Sequence, residues 1–194
     1  MVPEHRSARE RILDAAERLF ADRGFDATPT STVAALADVP KGLLFYYFPV
    51  KPDLLRALVT ERLDLGPIDA NALIAPGDPV GALLNLAEQL SELQADSEVL
   101  RVIIWREQRT HPEVRARLHE HRLHVQAIVE RVLRGSMVKP IAARAVQAAA
   151  AAWVAILAMK PLPEHRERET GEESHELRAL AELICAGLAS PALA

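Results

Sequence analysis

Between Thr28 and Lys51 the sequence TPTSTVAALADVPKGLLFYYFPVK gathers groups suited to binding a polyanion. Lys41 and Lys51 supply ammonium charges for phosphate oxygens. Thr28, Tyr46 and Tyr47 supply hydroxyls that can donate to the same oxygens. Gly42 lacks a side chain and so permits close backbone approach, and Leu43 offers an apolar contact of the kind a thymine methyl accepts. Two short apolar-periodic segments flank a turn at Ala37-Asp38-Val39. That spacing predicts a helix-turn-helix whose second helix enters the major groove of double-stranded DNA.

The elements that must hold these groups are helical. Ser7 followed by Glu10 forms a capping-box pattern, and Ile12, Leu13, Ala16, Leu19 and Phe20 recur at helical spacing up to Arg23, before Gly24 stops the run. Thr28 is the expected N-cap of a second helix, with Pro29 at its first position, ending near Ala37. Pro40 opens a third helix to about Tyr47, and Pro49 and Pro52 bracket the start of a fourth, with Leu54, Leu55, Leu58 and Leu63 on its buried side. Val33, Ala34, Leu36, Val39, Leu44, Phe45 and Phe48 are the expected small core. Further helices are expected over about 80–95, 97–109, 112–134, 140–159 and 174–189, with a charged loop from Pro161 to Glu173. The fold class is therefore all-α, with about nine helices. An N-terminal three-helix DNA-binding domain (1–50) precedes a larger helical effector-binding and dimerisation domain (51–194).

Composition narrows the function classes. Apolar residues make up 49% of the chain and charged residues 26%, the balance of an ordinary globule. Net charge is −4, yet residues 1–60 carry eight basic and eight acidic side chains, so the acidic excess lies beyond them. A local basic surface at Lys41 and Lys51 can still meet phosphate. The single Cys185 suits a reducing, cytoplasmic setting. The charged N-terminus has no signal-peptide pattern. The apolar run Ala142–Met159, broken by Arg144 and Gln147, is too weakly hydrophobic for a membrane span. No Ser/His/Asp pattern or carboxylate pair points to an enzyme. His121 and His124 share a helical face but lack a third ligand, so neither metal nor cofactor is implied.

The run from Arg11 to Leu55 resembles the tetracycline-repressor (TetR) family of bacterial transcriptional regulators. The landmarks are Ile12-Leu13, Ala15-Ala16, Leu19-Phe20, Gly24-Phe25, Thr28, Val33-Ala34, Val39, Lys41-Gly42, Leu44-Phe45, Tyr47-Phe48, Lys51 and Leu54-Leu55. The resemblance covers about the first quarter of the chain. It implies a palindromic operator, a homodimer formed through the last two helices, and a small-molecule effector whose binding releases a repressor. The sequence departs from the family pattern at several points. Asp38 stands where the turn usually has Gly, and Pro40 where a hydroxyl residue precedes Lys-Gly. Leu43 and Phe45 replace common Thr and Tyr, and Pro29 and Pro52 replace polar residues. These losses of polar groups support the competing reading, a helical ligand-binding or interaction protein with weakened or lost operator recognition.

In the body, Ala145, Ala149, Ala152 and Ile156 form a low-profile surface on one helix, and Leu177, Leu180, Ile184 and Leu188 a stripe on the last. Two such helices from each of two subunits would make an intermolecular four-helix bundle. An intramolecular core explains the same pattern. Ile103, Trp105, Trp153 and Leu157 are the apolar candidates for an effector pocket, with Arg106 and Arg109, and also Glu107 and His111, as polar neighbours.

Overall fold

The computed structural model describes residues 7–64, 66, 68–94, 103, 107, 109–159 and 171–189. Among them are eight helices and no strand: α1 (Ala8–Arg23), α2 (Thr30–Leu36), α3 (Lys41–Tyr47), α4 (Lys51–Arg62), α5 (Pro79–Gln94), α6 (Pro112–Ser136), α7 (Ala143–Met159) and α8 (Gly171–Ala189). The expected helix at 97–109 and the loop from Pro161 lie mostly outside the described residues, although Ile103 and Glu107 have helical backbone. The last helix starts at Gly171, three residues before the expected Ser174.

The chain divides into two compact units, Met1–Asp64 with Asp96–His119, and Leu65–Ala95 with Glu120–Ala194. This division differs from a boundary at residue 50. Leu54, Leu55, Leu58 and Val59 of α4 are fully buried in the same core as α1 to α3. A second tie is ionic: Arg62 of α4 pairs with Asp14 and, at 3.0 Å, with Glu17 of α1, while Arg9 pairs with Glu61. Burial raises the Glu17 carboxyl above its ordinary value, against the opposing pull of Arg62. Its charge therefore works against the fold at neutral pH, a deficit that disappears as pH falls through the raised value.

α1 forms as its sequence dictates. The Ser7 hydroxyl accepts from the Glu10 amide at 3.2 Å, and the Glu10 carboxylate accepts from the Ser7 amide at 2.7 Å. Its apolar face buries Ile12, Leu13, Ala15, Ala16, Leu19 and Phe20. α2 starts later than expected: Thr30 is its first residue and Pro29, extended at φ −68° and ψ 142°, is its cap. Its end is a Schellman motif. The Val39 amide donates to the Ala34 carbonyl at 3.0 Å, and the Asp38 amide to Ala35 at 3.2 Å. Asp38 sits at φ 52°, the left-handed conformation its place in the turn requires.

Asp38→Gly is therefore expected to raise stability by about 0.5–1 kcal/mol, and Asp38→Val to lower it by about 1–2 kcal/mol, in denaturant melts. The exposed Arg11–Asp38 pair at 3.9 Å is too weak to reverse the first sign. Equal midpoints for the glycine and valine variants would contradict this assignment.

The second unit packs α5, the later part of α6, α7 and α8 around Leu83, Leu86, Val129, Val132, Leu133, Ala150 and Trp153, all essentially inaccessible. The Asp78 carboxylate accepts from the Gly81 amide at 2.8 Å at the start of α5. At the end of α6 a Cβ on Gly135 would stand 2.5 Å from the side chain of Ile74, in the segment before α5, so any larger residue there would have to displace that side chain. Ser136 seals that contact. Its hydroxyl accepts from the Ala75 amide at 3.0 Å, and its carbonyl from Gly77 at 2.8 Å. Burial, with Asp78 adding a smaller repulsion, pushes the Cys185 thiol up to about 11, which leaves it protonated and unreactive at neutral pH.

Candidate nucleic-acid interface

α3 is anchored by two side chains and displays the rest. Leu44 and Phe48 are buried in the first unit's core, while Lys41, Gly42, Phe45, Tyr46 and Tyr47 are exposed. Four-residue spacing puts Lys41 above Phe45, with Nζ 5.7 Å from the ring centre. Tyr46 is 77% exposed, so its ring and hydroxyl project well beyond the fold. It meets Tyr47 edge to face at 5.2 Å, and Tyr47 leans on Phe48 at 6.4 Å. A Cβ built on Gly42 meets nothing within 4 Å, so no packing inside the protein demands glycine there. Leu43 is partly buried against the core and keeps only part of its surface for an outside contact.

Lys51, at the start of α4, is more engaged than its sequence position suggests. Its Nζ lies 4.4 Å above the Phe25 ring and donates to the Asp26 carbonyl at 3.2 Å. That seat occupies one of three ammonium donors and fixes where the others start.

Thr28 is a correction. It is fully buried, and its hydroxyl lies 2.7 Å from the Gly24 carbonyl and 3.2 Å from that of Leu19, as donor to the main chain. A hydroxyl spent on closing the α1–α2 connection is not a phosphate donor. Two expected core residues are also displaced: Leu36 is 51% exposed and Phe45 38%. Val33, Ala34 and Ala37 already fill the inward face of α2, which turns Leu36 outward. Neither α2 nor α3 has a side-chain cap, because prolines occupy both cap positions.

The remaining candidates fall in separate places. Ile103 is buried in the first unit's core with Val114, whereas Trp153 is buried and Leu157 partly buried in the second unit's core. Arg109 is exposed in a turn, and Trp105 and Arg106 lie outside the described residues. Of the α7 and α8 residues, Ala145, Ala149, Leu177 and Leu188 are largely buried within their own unit, Leu180, Ile156 and Ile184 are half-buried, and Ala152 is exposed. An open groove of about 480 Å³ runs between these helices, lined by Ala145, Ala148, Ala149, Leu183, Ile184 and Leu188 among others.

Sequence reasoning does not find the role of Glu107. Its carboxylate is buried and accepts from the Phe25 amide at 2.9 Å, across 82 positions of sequence. No periodicity links the two residues.

A family model described as bacterial regulatory proteins, tetR family, matches residues 12–58. The HTH-type transcriptional regulator TtgR of Pseudomonas putida is 31% identical over 102 residues, 51% of this chain and 49% of TtgR. The chain thus spans about half the length of the curated relatives it matches. Two solved structures share the fold over nearly their whole length. The TetR family transcriptional regulator PfmR from Thermus thermophilus has a TM-score of 0.60 at 23% identity, covering 92% of this chain and 98% of PfmR. The multidrug binding protein EbrR, complexed with malachite green, has a TM-score of 0.62 at 23% identity, covering 96% and 99%.

Proposed function

We propose that this chain, which is similar to the tetR family of bacterial regulatory proteins over residues 12–58, is a ligand-responsive DNA-binding transcriptional regulator. In this reading it is a cytoplasmic repressor that binds a palindromic operator as a homodimer and leaves it when a small effector binds. The observation that carries the reading is the outer face of α3. Lys41, Gly42, Tyr46 and Tyr47 stand clear of the protein on a helix held from behind by Leu44 and Phe48. Lys41 reaches a base edge or a phosphate, the tyrosine hydroxyls and Lys51 take backbone phosphates, and Gly42 lets the duplex lie close. Two such helices about 34–36 Å apart would enter successive major grooves. An effector that binds better to a differently spaced form draws the population off DNA. Gel shifts on the DNA flanking the gene test this. Sequence-selective binding that an effector weakens supports it, and binding indifferent to sequence and salt would refute it.

The α7–α8 groove supports dimerisation with a second copy of the chain. Its walls are apolar apart from Arg144, Ala148 and Gly187 keep its profile low, and Leu183 projects from its rim at 70% exposure. Around a two-fold axis each position occurs twice. Leu183→Glu places two carboxylates in the contact and is expected to weaken dimerisation at least about tenfold in sedimentation equilibrium. An unchanged dimer would remove the groove from the interface. For the effector, the second unit offers buried polar atoms with no partner among the described residues. The buried Trp153 indole N–H and the Gln89 side-chain carbonyl oxygen make no hydrogen bond to any described residue. An effector with an acceptor for the indole and apolar surface for Leu157 fits that chemistry.

A further inference from the structure

The buried carboxylate of Glu107 reaches into the first unit from a distant part of the sequence. One oxygen accepts from the Phe25 amide at 2.9 Å, and the other lies 3.4 Å from His111 Nε2. His111 in turn has Nδ1 3.3 Å from Glu113 and stands edge to face with Phe25 at 4.7 Å. Phe25 also meets Phe20 at 5.3 Å, so the ring is fixed on two sides. The rest of the 24–28 loop is held by its own bonds, Thr28 amide to Phe25 carbonyl at 3.1 Å and Thr28 hydroxyl to the Gly24 carbonyl. The Phe25 amide bond to Glu107 and the Phe25 ring contact with His111 tie this loop to residues far along the chain, and the amide bond is the one that fixes its backbone. The loop then forms the seat of Lys51, through the Phe25 ring face and the Asp26 carbonyl.

We propose that Glu107 is a positioning residue for DNA binding, holding the Phe25–Asp26 loop so that the Lys51 ammonium is presented to a backbone phosphate. The inference rests on the DNA-binding reading above. Its chemistry is direct: a buried amide without an acceptor rearranges to find one, and the loop that rearranges carries both groups that seat Lys51. A long, flexible ammonium side chain without a seat loses the geometry that makes its phosphate contact favourable.

The test measures duplex affinity against salt for the full chain, using a duplex selected from a random pool by the wild type. Lys51→Ala is expected to reduce the slope of log K against log salt by about 0.9 for each subunit. Glu107→Ala should reproduce that reduction, and the double variant should add nothing to it. Glu107→Gln, whose amide oxygen can still accept from the Phe25 amide, should retain the wild-type slope. Should the alanine variant not fold, Glu107→Asp withdraws the carboxylate by one methylene and should give the same reduced slope. A lower affinity at unchanged slope in folded Glu107→Ala or Glu107→Asp would mark a merely structural role and overturn the inference. Additive effects in the double variant would do the same. A wild type that selects and binds no duplex would overturn the DNA-binding reading as well, so the two failures are distinguishable.

Discussion

Lys41→Ala/Lys51→Ala is expected to bind duplex DNA at least about 100-fold more weakly than the wild type at moderate salt, with a much flatter salt dependence. Each lysine that neutralises a phosphate contributes about 0.9 to the slope of log K against log salt. With two subunits, two substitutions leave four phosphates without their lysine. Each charge-assisted bond is worth roughly 1 kcal/mol or more, so four together reach the stated loss. The two lysines should separate when replaced singly. Lys51→Ala weakens all sequences alike, because Lys51 opens α4 rather than α3 and is seated on Phe25 and Asp26. Lys41→Ala also alters preference, because Lys41 occupies the first turn of α3. Fluorescence anisotropy across a salt series on several duplexes reads both effects, and equal binding by the double variant and the wild type would refute the assignment.

Gly42→Ala is expected to move stability and DNA binding in opposite directions. A methyl at this position meets no atom within 4 Å, so the fold gains helix propensity, about 0.8–1 kcal/mol, without a clash. The same methyl occupies the surface that the duplex must approach closely, and affinity should fall at least about tenfold, a loss of about 1.4 kcal/mol. Thermal melts and anisotropy on one preparation check the pair of signs. A variant more stable than wild type with unchanged affinity would show that glycine here serves no DNA contact.

The first unit is legible in the sequence wherever local chemistry decides structure. The Ser7–Glu10 capping box, the apolar face of α1 and the left-handed Asp38 all follow from residue types at fixed spacing. Thr28 misleads because an N-cap hydroxyl and a hydroxyl that closes a loop look alike in sequence, and only the path of the chain after Gly24 separates them. Leu36 and Phe45 resemble core residues because they are apolar, yet helices of seven residues bury only a narrow stripe, which Val33, Ala34 and Leu44 fill. In the second unit the Leu177–Leu188 stripe faces mainly its own core, while the exposed groove edge at Leu183 lies beside it. Helical periodicity reveals that a face is buried and cannot reveal by what. Glu107 is illegible for a related reason: a tie between residues 25 and 107 depends on tertiary proximity that no local pattern encodes.

If this chain reads DNA sequence with α3 as a symmetric pair, selection of duplexes from a random pool by the full chain, followed by sequencing of the bound fraction, will show it directly. The expected outcome is an enriched two-fold symmetric site with half-site centres about 34–36 Å apart, or one helical turn, and no such enrichment with Lys41→Ala/Lys51→Ala. A wild-type pool that stays random, or enrichment that survives loss of both lysines, would contradict it.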